Sequence, residues 1–149
     1  MTISRRNLIK WSTGASLAAA TGTWGPLLAN PSEINMTTIP STGQQVPSIG
    51  IGTVDFRGKV GSPDYERYAE VLKTFHQGGG QLIDTSPNYG NSEEVLGSLL
   101  KDADLREKMF VATKVDRESK AEGIKRMNES FEHLGGKKID LMQVHNLRG

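Results

Sequence analysis

The chain repeats one short unit four times, and this repeat limits the folds open to it more than any other feature. In each unit an apolar stretch typical of a strand ends at a marked residue, and a helical pattern separates successive stretches. Thr53, Asp84, Lys114 and His145 mark the strand ends, at intervals of 31, 30 and 31 positions. Strands and helices that alternate in this way predict a parallel sheet with crossover helices.

Capping residues and glycines indicate where the helices begin and end. We predict that Asp64 caps a first helix that ends at glycines 78–80, and that Ser92 starts a second. Ser119 and Glu122 form a capping-box pattern at the start of a third helix. The predicted buried face of this third helix consists of Ile124, Met127, Phe131 and Leu134.

A short hairpin is predicted before the repeat, from residues 37–40 and 44–46. The strands of the repeat are predicted at 48–53, 81–84, 109–113 and 139–144. Three of the four strand-end residues are ionisable, and the carboxyl ends of parallel strands share one edge. An α/β barrel places its catalytic residues at that edge, and a doubly wound sheet also binds ligands there. The pattern therefore predicts where the site lies and leaves both folds open.

Four residues near this edge suit the reduction of a carbonyl group. Asp84 and Lys114 follow consecutive strands, so we expect an ion pair. Tyr89, in the loop after Asp84, is a weak acid when free, with a pKa near ~10, and a neighbouring ammonium eases its proton donation. A neutral imidazole at His145 can orient a carbonyl oxygen. No side chain supplies hydride, so a nicotinamide cofactor is implied.

Taken singly, these residues are more often structural: an ion pair, a turn aromatic, a core histidine. The longer motifs around them resemble the aldo/keto reductase family. Residues 47–53 are similar to that family's first barrel strand, and 82–93 with the Leu-Gly pair at 96–97 are similar to its main signature. Residues 112–114 and 143–146 are similar to the strands that carry its lysine and histidine.

The resemblance, which covers about residues 36–149, implies a (β/α)8 TIM barrel, here truncated to about the first four βα units after a hairpin. It implies NADP(H) as cofactor, a small aldehyde or ketone as substrate, and no metal. Tyr89 is the implied general acid, Asp84 and Lys114 tune it, and His145 orients the carbonyl. The residues implied to border the nicotinamide are Gly52, Thr53 and Asp84.

A complete barrel of this kind needs about 250 residues, whereas the chain has 149. Three hypotheses follow: a fragment of a longer reductase, a non-catalytic half barrel that pairs with itself or another chain, or an inactive remnant. We adopt the first and expect little activity from the 149-residue chain alone.

Residues 1–30 are predicted to be a separate segment, and 31–149 the reductase-like body. Arg5, Arg6 and Lys10 precede an uncharged stretch, which resembles a twin-arginine signal for export to the periplasm. Membrane contact is expected only through this segment, as a cleaved signal or a retained anchor.

The remaining chain carries 15 Lys and Arg against 17 Asp and Glu, which argues against nucleic-acid binding. The absence of cysteine from the sequence excludes disulfides and thiolate metal sites. His76 and His133 fall within predicted helices, and we predict that both are surface residues.

Overall fold

The computed structural model describes residues 34–136 and 138–146. The predicted export signal at 1–30 lies outside the described residues. An antiparallel hairpin comes first, formed by β1 (Met36–Thr38) and β2 (Gln45–Pro47). The predicted hairpin is therefore confirmed, with its strands shifted by one or two residues.

Four parallel strands form the main sheet: β3 (Gly50–Gly52), β4 (Leu82–Asp84), β5 (Phe110–Val115) and β6 (Leu141–Val144). Their order across the sheet is their order along the chain. The predicted parallel α/β sheet is confirmed. The described residues do not close this sheet into a barrel, because β3 and β6 remain its two edges.

Three helices connect these strands: α1 (Pro63–Gln77), α2 (Ser92–Asp102) and α3 (Lys120–His133). A 3-10 turn (Arg106–Lys108) follows α2. Within residues 34–136 and 138–146, none of the helices combines the length and the apolar composition needed to cross a bilayer.

The start of α1 differs from the prediction. Ser62, not Asp64, caps the helix: its hydroxyl accepts a hydrogen bond from the Tyr65 N–H at 3.3 Å. Pro63 takes the first helical position, where its fixed φ suits the helix and its missing N–H costs nothing. Asp64 instead places its carboxylate in the first turn, where it complements the helix dipole and pairs with Arg67 at 2.9 Å.

The core lies between the sheet and the helices. Ile83 and Val111 come from the two central strands, and Leu72 from α1 and Leu96 from α2 pack against them; all four are at most 1% exposed. Full burial of a side chain of this size contributes about 1.5–3 kcal/mol. These contacts fix the central strands, whose carboxyl ends carry the predicted site residues.

The apolar face of α3 is less buried than predicted. Leu134, just past the end of α3, is fully buried, but Ile124, Met127 and Phe131 are 38–48% exposed. The prediction is wrong for these three residues because α3 packs mainly against α2 and β5, which cover only one side of it. The neighbouring edge strand β6 is also exposed, notably at Val144.

Candidate active site

The predicted ionisable residues meet at the carboxyl edge of the sheet. Asp84 ends β4, and His145 directly follows β6. Lys114 lies inside β5 rather than after it, because this strand continues its pairing with β6 through Val115. Asp84 pairs with Ala112, and Lys114, two residues further along β5, points to the same face. Neighbouring strands therefore bring the carboxylate and the ammonium together.

Asp84 and Lys114 form the expected ion pair. The Lys114 Nζ donates to Asp84 Oδ2 at 2.5 Å and to the Thr85 carbonyl oxygen at 2.8 Å. The Lys114 side chain is only 12% exposed, whereas that of Asp84 is 41% exposed. An ammonium so far removed from water needs acceptors around it, and the carboxylate and the carbonyl supply them.

Tyr89 lies in the loop between β4 and α2. Its backbone N–H donates to the Ser86 carbonyl at 3.1 Å, and Gly90 takes a φ of 66°, a left-handed conformation that favours glycine. The Lys114 Nζ lies 5.3 Å from the centroid of the Tyr89 ring, within the range of a cation–π contact. The tight turn thus holds the phenol against the ammonium of the ion pair.

His145 completes the cluster. Its ring is edge-on to that of Tyr89, with centroids 5.8 Å apart and an interplanar angle of 88°. Its Nδ1 lies 2.9 Å from Ser86 Oγ and 3.4 Å from Asn88 Nδ2. The structure therefore brings together all four residues predicted to be catalytic: Asp84, Tyr89, Lys114 and His145.

Sequence reasoning missed the polar contacts that hold the loop between β4 and α2. Asn88 Nδ2 donates to Asp116 Oδ2 at 2.6 Å, and Arg126 of α3 donates to the Pro87 carbonyl at 2.7 Å. Polar loop residues are usually solvated, so their type alone gave no signal. The position of Ser86 and Asn88 between two predicted site residues was the only available indication.

The three residues predicted to border a cofactor differ in exposure. Gly52 is exposed, and a Cβ added there would meet no atom within 4 Å. Asp84 pairs with Gly52 across the sheet. Thr53 is fully buried; its hydroxyl donates to the Asp84 carbonyl at 3.3 Å, and Ser92 Oγ donates to the Thr53 carbonyl at 2.7 Å. Gly52 and Asp84 thus form an open edge, which Thr53 supports from inside.

A buried carboxylate, also missed in the sequence, braces the elements beneath the site. Glu93, in the first turn of α2, is 3% exposed. Its Oε1 accepts from Thr113 Oγ1 of β5 at 2.5 Å, and its Oε2 accepts from Ser130 Oγ of α3 at 3.0 Å. One side chain therefore ties α2 to both β5 and α3.

The two other histidines are half-buried rather than fully on the surface. His133 lies 3.9 Å from Glu93 Oε2 and 3.6 Å from Glu94 Oε1. In the part of the chain that the structure describes, no group of three or more His, Asp or Glu residues is arranged to hold a metal ion.

The cluster has the chemistry of a proton donor. A positive charge can stabilise a negative charge that develops close to it, and the Lys114 ammonium lies beside the Tyr89 ring. The Asp84 carboxylate holds that ammonium in place. An imidazole beside the phenol adds a second hydrogen-bonding group for an oxygen bound between them.

Comparison with known proteins extends this description. Residues 48–148 match the model of the aldo/keto reductase family. The chain is 31% identical over 122 residues to the aldo-keto reductase YhdN of Bacillus subtilis, covering 73% of this chain and 37% of the relative. It is 34% identical over 106 residues to glycerol 2-dehydrogenase (NADP(+)) of Saccharomyces cerevisiae, covering 70% of this chain and 31% of the relative.

Solved structures give the same result. A Pseudomonas aeruginosa protein described as an aldo-keto reductase superposes with a TM-score of 0.66 at 33% identity, covering 74% of this chain and 46% of that one. An aldo-keto reductase from Klebsiella pneumoniae in complex with NADPH superposes with a TM-score of 0.63 at 24% identity, covering 75% of this chain and 40% of that one. The chain therefore spans about a third to under half of the length of these relatives.

Proposed function

Because this chain belongs to the aldo/keto reductase family, we propose that it provides the catalytic residues for reduction of an aldehyde or ketone with NADP(H). Members of the family are oxidoreductases that act on such carbonyls. Two relatives support the choice of cofactor: the yeast protein is named an NADP(+) enzyme, and the Klebsiella protein was solved in complex with NADPH.

One observation carries the proposal: a largely buried ammonium, held by a carboxylate, lies against the ring of a loop tyrosine. The Lys114 Nζ is 2.5 Å from Asp84 Oδ2 and 5.3 Å from the centroid of the Tyr89 ring. An ion pair that only stabilised the fold would not need the phenol ring of Tyr89 beside it. An acid that must lose and regain a proton in each turnover benefits from the adjacent positive charge.

The proposed step transfers one proton and one hydride. Tyr89 Oη gives its proton to the carbonyl oxygen, which becomes the hydroxyl of the product, and solvent returns that proton afterwards. His145 orients the carbonyl oxygen by a hydrogen bond, and Lys114 stabilises the tyrosinate. A bound NADPH would supply the hydride for the carbonyl carbon and would be oxidised to NADP+ in doing so.

The open edge of the sheet at Gly52 supports a binding position for a nicotinamide ring. The exposed Gly52 leaves the space that a side chain would fill, and the partly exposed Asp84 lies beside it. We propose that the backbone around Gly52 and Thr53, together with Asp84, borders the ring. Their role is to bind and orient the ring beside Tyr89.

The test is NADPH consumption with 4-nitrobenzaldehyde by the protein purified from its own cells. Tyr89→Phe should lower kcat/KM by at least about a hundredfold, because the general acid is lost, and should leave NADPH binding unchanged. Tyr68→Phe is the matched control, since Tyr68 lies on α1 and its ring stacks on that of Phe56, with centroids 4.6 Å apart. Undiminished turnover in Tyr89→Phe would remove Tyr89 as the acid.

A second candidate is a non-catalytic half barrel that pairs with itself or another chain. The exposed apolar residues of α3 and β6 favour it, since Phe131 is 38% exposed and Val144 65% exposed. Contiguous exposed apolar surface often marks an interface. A dimer by analytical ultracentrifugation that binds no NADPH would support this candidate against the reductase.

We also propose that residues 1–30 direct export by the twin-arginine route. The support is the sequence pattern at Arg5 and Arg6 alone. Replacing both with lysine should retain the protein in the cytoplasm, as measured by cell fractionation. Periplasmic recovery of that variant would contradict the proposal.

A further inference from the structure

Two polar groups of the loop between β4 and α2 approach the same ring nitrogen of His145. Ser86 Oγ lies 2.9 Å from Nδ1, and Asn88 Nδ2 lies 3.4 Å from it. A neutral imidazole carries one proton, on either Nδ1 or Nε2, and the partners of the ring decide which. The roles of these two neighbours therefore determine which nitrogen can serve a substrate.

The orientation of the Asn88 amide follows from Asp116. Asp116 Oδ2 lies 2.6 Å from Asn88 Nδ2, and an ionised carboxylate only accepts, so the NH2 group must face it. The Asp116 side chain is 3% exposed, and its Oδ1 accepts from Arg117 Nη1 at 2.5 Å, which compensates the charge. The same NH2 group has a second hydrogen, and Asn88 therefore presents a donor to Nδ1.

The role of the Ser86 hydroxyl follows from its second partner. Ser86 is fully buried, and its oxygen accepts a hydrogen bond from the Asn88 backbone N–H at 3.1 Å. Its own proton is free to point to the Nδ1 atom of His145. Because the Asn88 NH2 can only donate to the same nitrogen, Nδ1 is the acceptor, and the ring proton belongs on Nε2.

We infer that Ser86 and the Asp116–Asn88 pair are positioning residues that hold His145 in the tautomer with its proton on Nε2. The consequence for catalysis rests on the proposed function. A protonated Nε2 can donate to a carbonyl oxygen, whereas the other tautomer would present a lone pair to that oxygen and repel it. The chain thus fixes a donor before any substrate arrives.

The test is nitrogen NMR of the histidine rings in the full chain labelled with 15N. At about pH 8.5 ordinary imidazoles are neutral, and the chain has three histidines, so His145→Gln identifies the His145 signals. We expect the proton on Nε2 and an Nδ1 shift typical of a hydrogen-bond acceptor. In Ser86→Ala the Nδ1 signal should move toward that of an unbonded lone pair, and the population protonated on Nδ1 should rise.

Controls separate this effect from a loss of folding. Ser130→Ala removes another fully buried hydroxyl, one that donates to Glu93, and should leave the His145 signals unchanged. Asn88→Ala alters an exposed residue, so it tests the same nitrogen even if Ser86→Ala fails to fold. A ring proton on Nδ1 in the unmodified chain would overturn the inference, as would unchanged His145 signals in both the Ser86 and the Asn88 variants.

The measurement needs neither cofactor nor substrate, so its outcome is independent of the proposed reaction. An Nε2-protonated ring in a protein that reduces no carbonyl would leave the inference intact and reject the proposed function. In an active protein, Ser86→Ala should lower kcat for carbonyl reduction more than it changes KM for NADPH.

Discussion

Helices α2 and α3 both place apolar residues on one face, yet only α2 buries that face. The α2 residues that are at most 2% exposed are Val95, Leu96, Leu99 and Leu100. The α3 residues that remain 38–48% exposed are Ile124, Met127 and Phe131. α2 packs against α1 on one side and α3 on the other, whereas α3 packs mainly against α2 and β5. An apolar pattern therefore predicts burial only where elements lie on both sides of the helix.

The same difference divides the candidate site. Asp84 and Lys114 lie on the central strands β4 and β5, above the buried core. His145 follows the edge strand β6, which is exposed at Val144. The ion pair is held by the interior of the sheet, whereas the histidine depends on contacts from a loop, chiefly that of Ser86. The well-packed region thus positions the ion pair, and the loop positions the histidine.

The largest expected effect comes from removing a packed side chain on each helix. Leu96→Ala should lower the free energy of unfolding by about 3 kcal/mol, because Leu96 is fully buried and its loss leaves a cavity. Ile124→Ala should cost less than about 1 kcal/mol, because Ile124 is already 48% exposed. Urea denaturation of both variants measures the difference, and equal costs would show that α3 is as well packed as α2.

Two helical glycines give the next test. A Cβ at Gly97 of α2 would lie 1.9 Å from the His133 carbonyl oxygen, whereas a Cβ at Gly123 of α3 meets nothing closer than 3.9 Å. Gly97→Ala should therefore lower the free energy of unfolding by about 2 kcal/mol, because the new methyl group clashes with that carbonyl oxygen. Gly123→Ala should stabilise by about 0.5–1 kcal/mol, since alanine favours a helix. Thermal unfolding checks both signs, and a tolerated Gly97→Ala would contradict the close packing of α2 on α3.

The buried carboxylate beneath the site should have a smaller effect. Glu93→Gln keeps the shape of the side chain but replaces one carboxylate oxygen with an NH2 group. That NH2 group would face the hydroxyl of Thr113 or Ser130, which now donates to Glu93. We therefore expect the free energy of unfolding to fall by about 1–2 kcal/mol. Glu94→Gln, at a side chain that is 58% exposed, should change little. If the two variants unfold at the same urea concentration, Glu93 does not brace the three elements that it contacts.

The last effect is absent at neutral pH, appears only at alkaline pH and concerns the contact of α1 with α2. Burial and the hydrogen bond to Asp102, 2.6 Å away, raise the pKa of Tyr65 to about 12. An unfolded tyrosine loses its proton near a pKa of ~10, so the unfolded chain releases protons first as the pH rises. The stability contributed by this contact is therefore full below pH ~10 and is lost as the pH approaches about 12.

The free energy of unfolding should decrease less steeply with pH over this range in Tyr65→Phe than in the unmodified protein, and Tyr68→Phe should show no such change. Denaturant titrations at several alkaline pH values measure this slope. An unchanged slope in the Tyr65 variant would show that the contact between α1 and α2 is not coupled to this proton.

Much of the fold could be predicted from the sequence because its signals are local. The regular alternation of strands and helices predicted a parallel sheet, and this is confirmed; the structure adds that the strand order follows the chain. Ser119 also caps α3 as predicted, since its hydroxyl accepts from the Glu122 N–H at 3.2 Å; the Glu122 carboxylate accepts from that hydroxyl at 2.8 Å rather than from the Ser119 N–H. The meeting of Asp84 and Lys114 followed from the spacing of the strand ends, because the carboxyl ends of neighbouring parallel strands lie side by side.

The remaining features depend on distant contacts that no local pattern encodes. The burial of α3 depends on what lies beside it, so the apolar residue Phe131 gave a misleading signal. Ser86, Asn88 and Asp116 act through a loop whose path depends on Arg126 of α3, 39 positions from Pro87. Their side chains are ordinary in a loop sequence, and only the folded chain brings them to His145.

The central claim, that this cluster transfers a proton while hydride reaches a carbonyl carbon, has one direct measurement. Protein from its own cells is incubated with NADPH carrying deuterium on its transferable position and with 4-nitrobenzaldehyde, and the alcohol is analysed by mass spectrometry. We expect one deuterium on the carbinol carbon with the unmodified protein, and at least about a hundredfold less labelled alcohol with Tyr89→Phe in the same time. Alcohol without deuterium, or equal labelling by both proteins, would contradict the assignment of Tyr89 as the acid in a hydride-transfer reaction.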